Sequence, residues 1–222
     1  MFDIPFQVNW LEKEILKYEE EPIEKGKILF YGHSVFTRWG SPKWGYRRLD
    51  EDIRMKDGSL ACVNHGFGTS TSEELLYHYP DVIRPLKPRA FVVSIVHNDR
   101  GFGYSPEEVV TNLAKLFEFA RTDFPGIRIY ACDCRPTLKF TTESHIRYMN
   151  EFNQLLKEYC GRHEDTTFVD HINHPIWFED PADAGDYLKV RRDIFVEDDV
   201  HFNQLGYDLY TVFMKEILKD VL

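Results

Sequence analysis

Lys27-Ile28-Leu29-Phe30-Tyr31-Gly32-His33-Ser34 is the stretch whose reading decides the fold class. Its large apolar residues run without alternation, the pattern of a short strand buried on both faces. Gly32 then allows a sharp turn, and Ser34 falls just past the strand end. In open α/β sheets, ligands collect beyond that end of the strands.

Working outward, similar apolar runs occupy residues 60–64, 90–95, 127–132 and 167–170. Helical patterns lie around them. Residues 10–18 precede the first strand, and 72–79 follow the second with Ser70 or Thr71 as the N-cap. Ser105-Pro106-Glu107-Glu108 supplies a cap, a first-turn proline and two acids at the positive end of the helix dipole. Val109, Leu113, Leu116, Phe117 and Ala120 then continue at helical spacing. Two more helices are expected over 142–159 and from Gly206 to Leu218. This alternation predicts a five-stranded parallel sheet covered on both faces, a three-layer α/β/α sandwich. Residues 1–222 show no repeat or linker, so they read as a single domain, with 1–25 a helical N-terminal extension. The stretch 170–197 is long and irregular, with Pro175, Pro181 and Gly185, a kind of loop that often shapes a site.

Composition narrows the function classes. The net charge of −10 opposes nucleic acid or an anionic membrane as the main partner, because both attract basic surfaces. No apolar run approaches the ~18 residues of a membrane span, and the acidic start, with Glu12, Glu14 and Glu19, lacks the features of a signal peptide. The expected location is cytoplasmic. Cys62, Cys132, Cys134 and Cys160 have no framework spacing and agree with it. Cys132 and Cys134 read as buried packing, since one intervening residue and no second pair make no zinc site.

A serine hydroxyl becomes a useful nucleophile when a histidine takes its proton, and a carboxylate then holds the histidine tautomer. Asp198-Asp199-Val200-His201 carries both partners in one short loop near the C-terminus. The spacing of Asp198 and His201 is short enough for their side chains to meet, whereas Asp199 is the rival carboxylate.

Four blocks together resemble the SGNH, or GDSL-like, hydrolases. Ile28-Leu29-Phe30-Tyr31-Gly32-His33-Ser34 is similar to the family's strand followed by Gly-Asp-Ser. Asn64-His65-Gly66-Phe67-Gly68-Thr69-Ser70 resembles its Asn-x-Gly-x-x-Gly loop, and Val96-His97-Asn98-Asp99 its Gly-x-Asn-Asp. Asp198-Asp199-Val200-His201-Phe202-Asn203-Gln204-Leu205-Gly206-Tyr207 resembles Asp-x-x-His followed by Asn-x-x-Gly-Tyr. The resemblance spans Gly26 to the C-terminus and implies a flavodoxin-like sandwich. It also implies a catalytic triad of Ser34, Asp198 and His201 and an oxyanion hole from the Ser34 amide, the Thr69 amide and the Asn98 side chain. The implied activity is hydrolysis of a small-molecule carboxylic ester, short-chain or acetyl, on a carbohydrate or another alcohol, without metal or organic cofactor.

The chain departs from the pattern at three places. His33 replaces an aspartate, while Thr69 and Val96 replace glycines. A β-branched residue resists positive φ, so a turn that demands it is strained at Thr69 or shifted to Gly68. These departures keep open a weakened, ligand-binding member of the family. Thioesterase or lysophospholipase activity would use the same triad. A flavodoxin-like nucleotide binder would need a phosphate loop, which Gly66/Gly68 and Gly101/Gly103 do not complete.

Among the other residues, His33 and His97 flank the candidate nucleophile and oxyanion asparagine and are candidate substrate contacts. His65 and His78 read as packing or surface residues. His171 and His174 read as loop residues, since a third metal ligand is missing from the pattern. Arg38, Lys43, Arg47 and Arg48, interleaved with Trp39, Trp44 and Tyr46, hint at an anionic or polar substrate portion.

Overall fold

The structure, a computed structural model, describes residues 15–18, 21–39 and 42–222. Of the helix expected over 10–18, residues 15–18 are helical and the rest lies outside the described residues. Five parallel strands form one sheet in the order β2-β1-β3-β4-β5. They are β1 (Ile28–Gly32), β2 (Cys62–Gly66), β3 (Ala90–Ser94), β4 (Arg128–Cys132) and β5 (Thr166–Val169). The central strands β1 and β3 are buried at every position, as their unbroken apolar runs demand.

Side-chain alternation along β1 assigns the two outer layers. Phe30 meets Phe36 and Trp39 edge-on, on the face of α1 (Ser34–Arg38). Tyr31 points the other way, against Phe67 and Phe91, and its hydroxyl donates to the Leu75 carbonyl at 2.9 Å. Leu75 belongs to α3 (Ser72–Tyr77), which follows the short α2 (Leu49–Asp52) and precedes the short α4 (Tyr79–Val82). The single helix expected over 72–79 is thus split at His78, with Pro80 opening the second turn. Its cap is Thr71, whose hydroxyl accepts from the Glu74 amide in a capping box.

The Tyr31 face continues through α6 (Pro106–Asp123) and α7 (Glu143–Gly161) after the short α5 (His97–Phe102). The predicted cap Ser105 accepts a first-turn amide, and so does Thr142, which caps α7 and does not belong to its helical turns. Opposite them, α8 (Gln204–Ile217) stacks Tyr207 and Tyr210 on Trp39. It starts two residues before Gly206 because Asn203 is the cap. The outcome is the three-layer flavodoxin-like sandwich. No described helix is long and apolar enough to cross a membrane.

The chain leaves β1 toward β2 on one side of the sheet and returns to β3 on the other. That reversal opens a crevice beyond the carboxyl ends of β1 and β3, where Ser34 and Asn98 lie. The loop 170–197 closes on itself through a Phe178–Val190 bridge and buries Trp177 flat against Phe202.

Candidate active site

Ser34 is the first residue of α1, and the helix starts there because of its neighbours. His33 Nδ1 accepts from the Val35 amide at 3.3 Å, so a histidine caps the helix. Gly32 is obligatory, since a Cβ there would lie 2.1 Å from the Ser94 carbonyl oxygen on β3. Gly66 is fixed similarly: a Cβ would meet Phe36 Cβ at 2.5 Å. Asn64 anchors the other end of α1 by donating to the Phe36 carbonyl at 2.7 Å.

Ser34 Oγ lies 2.7 Å from His201 Nε2, and His201 Nδ1 lies 2.7 Å from Asp198 Oδ2. The second carboxylate oxygen of Asp198 accepts the backbone amides of Val200, at 3.0 Å, and His201, at 2.8 Å. Burial would raise the Asp198 pKa, but these two amides and the imidazole outweigh it and hold the carboxyl well below its usual range. Asp198 therefore stays ionised, and the hydrogen bond to it fixes a proton on Nδ1 and leaves Nε2 to accept from Ser34. Burial lowers His201 to about 4; Asp198 opposes this, and the Arg38 and Arg135 charges reinforce it. The ring is thus neutral at pH 7, the state a base requires. The rival Asp199 turns away, with its carboxylate 3.2 Å from Arg192 and its backbone at φ +60°.

Thr69 and Val96 both adopt positive φ, at +65° and +123°. The two glycine-to-β-branched departures thus fall on left-handed backbone, and strain is the price. Gly68 does not take over, because the left-handed residue is Thr69 itself. Asn98, in the first turn of α5, donates Nδ2 to the Ser70 carbonyl at 2.9 Å, which ties the second and third blocks together and leaves its other amide proton to serve elsewhere. The Ser34 amide heads α1, where first-turn N–H groups have no intrahelical acceptor. Asp99 is fully buried and accepts the Ser72 amide at 2.7 Å, capping α3; burial raises its pKa to about 6 despite those bonds.

Two sequence-level readings need correction. His33 is 5% exposed, with Nε2 3.4 Å from Ser94 Oγ and Nδ1 on the Val35 amide, so both nitrogens face protein. Its place is beneath the nucleophile and not against substrate. The three arginines of the basic cluster 38–50 are also neutralised by their own neighbours. Arg47 pairs with Asp52 and Asp208, Arg48 with Asp50, and Arg38 with Asp198, which removes the argument for an anionic substrate portion. His97 is half-buried beside Asn98, with Nε2 3.1 Å from the Arg135 carbonyl and its ring stacked on Phe140.

His171 and His174 serve different partners. His174 lies 3.5 Å from Glu216, whereas His171 is wholly buried, with Nδ1 2.6 Å from Asp133 Oδ1. Asp133 also accepts the backbone amides of His171 and Ile172, at 2.9 and 3.1 Å. It grips the start of the 170–197 loop in the way Asp198 grips the turn that carries His201. Among the described residues, no group of three or more His, Cys, Asp or Glu could hold a metal ion. His65 stacks on Tyr18 and His78 packs edge-on against Phe67 and Tyr77.

Sequence reasoning missed Arg135 altogether. It is 2% exposed, yet its Nη2 donates to the Val200 carbonyl at 2.6 Å, next to His201. An arginine after an apolar run carries no special mark, and the only hint was its position at a strand end.

A family model described as the GDSL-like Lipase/Acylhydrolase family matches residues 30–209. The chain belongs to that family. It is accordingly an ester hydrolase of the GDSL-like lipase and acylhydrolase group. A GDSL-like lipase from Bacteroides thetaiotaomicron superposes with a TM-score of 0.70 at 16% identity, over 95% of this chain and 98% of that one. An alpha/beta hydrolase enzyme from the metagenome of Lake Arreo, Spain, gives 0.65 at 17% identity, over 90% and 98%. A mutant of an acetyl-xylooligosaccharide esterase from Geobacillus gives 0.60 at 16% identity, over 90% and 96%. At these identities the likeness is one of fold. No curated protein matches the sequence.

Proposed function

We propose that this GDSL-like hydrolase cleaves a short-chain or acetyl carboxylic ester through an acyl-enzyme on Ser34. The observation that carries the reading is the unbroken relay Ser34–His201–Asp198, with both links at 2.7 Å. Ser34 Oγ attacks the ester carbonyl while His201 Nε2 takes its proton. The tetrahedral oxyanion is held by the Ser34 and Thr69 amides and by Asn98 Nδ2. Its collapse breaks the ester C–O bond as His201 returns the proton to the leaving alkoxide. Water then repeats the sequence on the acyl-enzyme, releasing the acid and restoring Ser34. Asp198 orients the ring and stabilises the imidazolium.

A carbohydrate ester is the substrate class we favour. Trp44 is 39% exposed and covers Arg38 at 4.1 Å, which puts an aromatic face beside the relay, the surface a sugar packs against. The acetyl-xylooligosaccharide esterase among the structural neighbours supports the same choice. A thioester or lysophospholipid would pass through the same steps. The four buried free cysteines suit a reducing compartment, and the proposal includes a cytoplasmic location.

A second reading is a weakened, ligand-binding member, which the strained Thr69 and Val96 favour. The test is hydrolysis of p-nitrophenyl acetate, butyrate and octanoate by the native protein and by Ser34→Ala, with fluorophosphonate labelling alongside. Turnover and labelling that both vanish in the variant, with acetate the best substrate, are expected. Equal rates in the two proteins would remove Ser34 from the mechanism. A native protein that neither turns over nor labels would be the weakened member.

A further inference from the structure

Two arginines approach the His201–Asp198 pair from different elements. Arg38, at the end of α1, places Nη2 3.2 Å from Asp198 Oδ2, the same oxygen that receives His201 Nδ1. Trp44 covers the guanidinium at 4.1 Å and limits its freedom to turn away. Arg135, beyond the end of β4, donates Nη2 to the Val200 carbonyl at 2.6 Å and Nη1 to the Pro136 carbonyl at 3.3 Å, and lies 4.3 Å over the Phe202 ring. Its Nε has no partner, and among the described residues no carboxylate lies within ion-pair distance of it. A buried cation without a counter-ion is costly; retained one residue from the candidate base, it acts on its neighbours through its field.

The other groups facing His201 do not restore the balance. His33, beneath α1, is held neutral by burial, with Arg135 reinforcing it. His97, on α5, is lowered to about 3 by burial and then by Arg135, and is also neutral. Asp199 is turned toward Arg192. Two fixed positive charges and one carboxylate therefore act on the imidazole.

We propose that Arg38 and Arg135 are positioning residues for the base. Arg38 takes a share of the oxygen that orients the ring, and Arg135 pins the carbonyl beside it. Together they reinforce burial in keeping His201 unprotonated into mildly acidic solution. The inference rests on His201 serving Ser34 as base. It has a catalytic consequence in the second half of each acyl transfer. An imidazolium of lowered pKa is a stronger acid, so it delivers its proton more readily to a basic alkoxide such as a sugar hydroxyl.

The experiment pairs two readouts across acidic and neutral pH. One is the kcat/KM profile for p-nitrophenyl acetate; the other is NMR titration of the His201 ring in histidine-labelled protein. Native protein, Arg38→Gln, Arg38→Lys and Arg135→Lys are compared. Arg38→Gln should move both the acid limb and the His201 titration upward by about one pH unit, while the two lysine variants, which keep the charge, leave them near native. A rate lost equally at all pH values, with the titration unmoved in Arg38→Gln, would make Arg38 merely structural and overturn the proposal for it. A native His201 that titrates near the ordinary value of about 6.5 would overturn the proposal as a whole. Failure of the hydrolase reading shows separately, as turnover that survives Ser34→Ala or is absent from native protein, and leaves the ring titration readable.

Discussion

Thr69→Gly and Val96→Gly should change stability in opposite directions, although both relieve positive φ. Thr69 is half-buried at φ +65°. A left-handed L-residue costs about 1–2 kcal/mol, and glycine gives back about 0.4–1 kcal/mol of that through its freer unfolded chain. The remainder is a gain of about 0.5–1 kcal/mol, because little buried surface is lost. For a chain of this size that corresponds to a Tm rise of about 1–4 °C. Val96, at φ +123°, is 1% exposed. Its replacement relieves about 1–3 kcal/mol of strain but gives up about 1.5 kcal/mol or more of buried side chain, plus the cavity left behind and the glycine entropy. The balance is a loss of about 1 kcal/mol. Thermal unfolding followed by circular dichroism, with guanidinium titration to check the slope, measures both. Thr69→Gly keeps its backbone N–H, so kcat/KM should hold at the native level or above. A fall in Tm for Thr69→Gly, or a rise in Val96→Gly of equal size, would refute the strain argument.

Three further outcomes are expected. Asn98→Ala removes a candidate oxyanion donor and should lower kcat by about 10²–10³-fold with KM little changed, as steady-state kinetics on p-nitrophenyl acetate will show. Asp133→Ala leaves three donors on His171 and Ile172 without an acceptor in a fully buried site; it should cost about 3–5 kcal/mol in guanidinium unfolding. Asp99 has a folded pKa raised to about 6 from 3.8, so its contribution to stability is complete below about pH 4 and is lost as pH rises through about 6. Asp99→Asn should therefore remove on the order of 2–3 kcal/mol from the fall in stability between those values, read as Tm against pH.

The sheet was legible because its strands are continuous apolar runs, and α6 because Ser105 caps it and its apolar residues recur at helical spacing. Short helices were not legible. α1 has five residues and owes its start to a histidine cap, an uncommon choice, while α2 and α4 have four residues each and lack room for periodicity. The relay was readable because Asp198 and His201 lie three residues apart and Ser34 follows a strand. Its surroundings were not, since Arg38 and Arg135 come to His201 from separate elements. Local sequence suggested a basic cluster at 38–50, but Asp50 ends it, Asp52 follows two residues later and Asp208 reaches it from α8. Charge counted along the chain overstates charge in space whenever the counter-ions arrive from another element.

The distance between Ser34 and His201 is set by parts of the chain far from either in sequence. Ser34 is held by α1, whose end is tied to β2 through Asn64. His201 lies on an irregular turn, which alone would leave the ring mobile. Three attachments restrain that turn. Arg135 holds the Val200 carbonyl, the Leu138 amide holds the Asp199 carbonyl at 3.0 Å, and Asn203 holds the Asp193 carbonyl at 2.7 Å. Tyr207 then joins the two halves, its hydroxyl donating to the Val35 carbonyl at 2.9 Å, one residue from Ser34. Gly206 is required beside it, because a Cβ would lie 2.5 Å from the Ile194 carbonyl oxygen. The Asn-x-x-Gly-Tyr segment after His201 thus has a mechanical reading. It docks α8 against α1 at the spacing that lets a serine and a histidine from opposite ends of the chain share one proton.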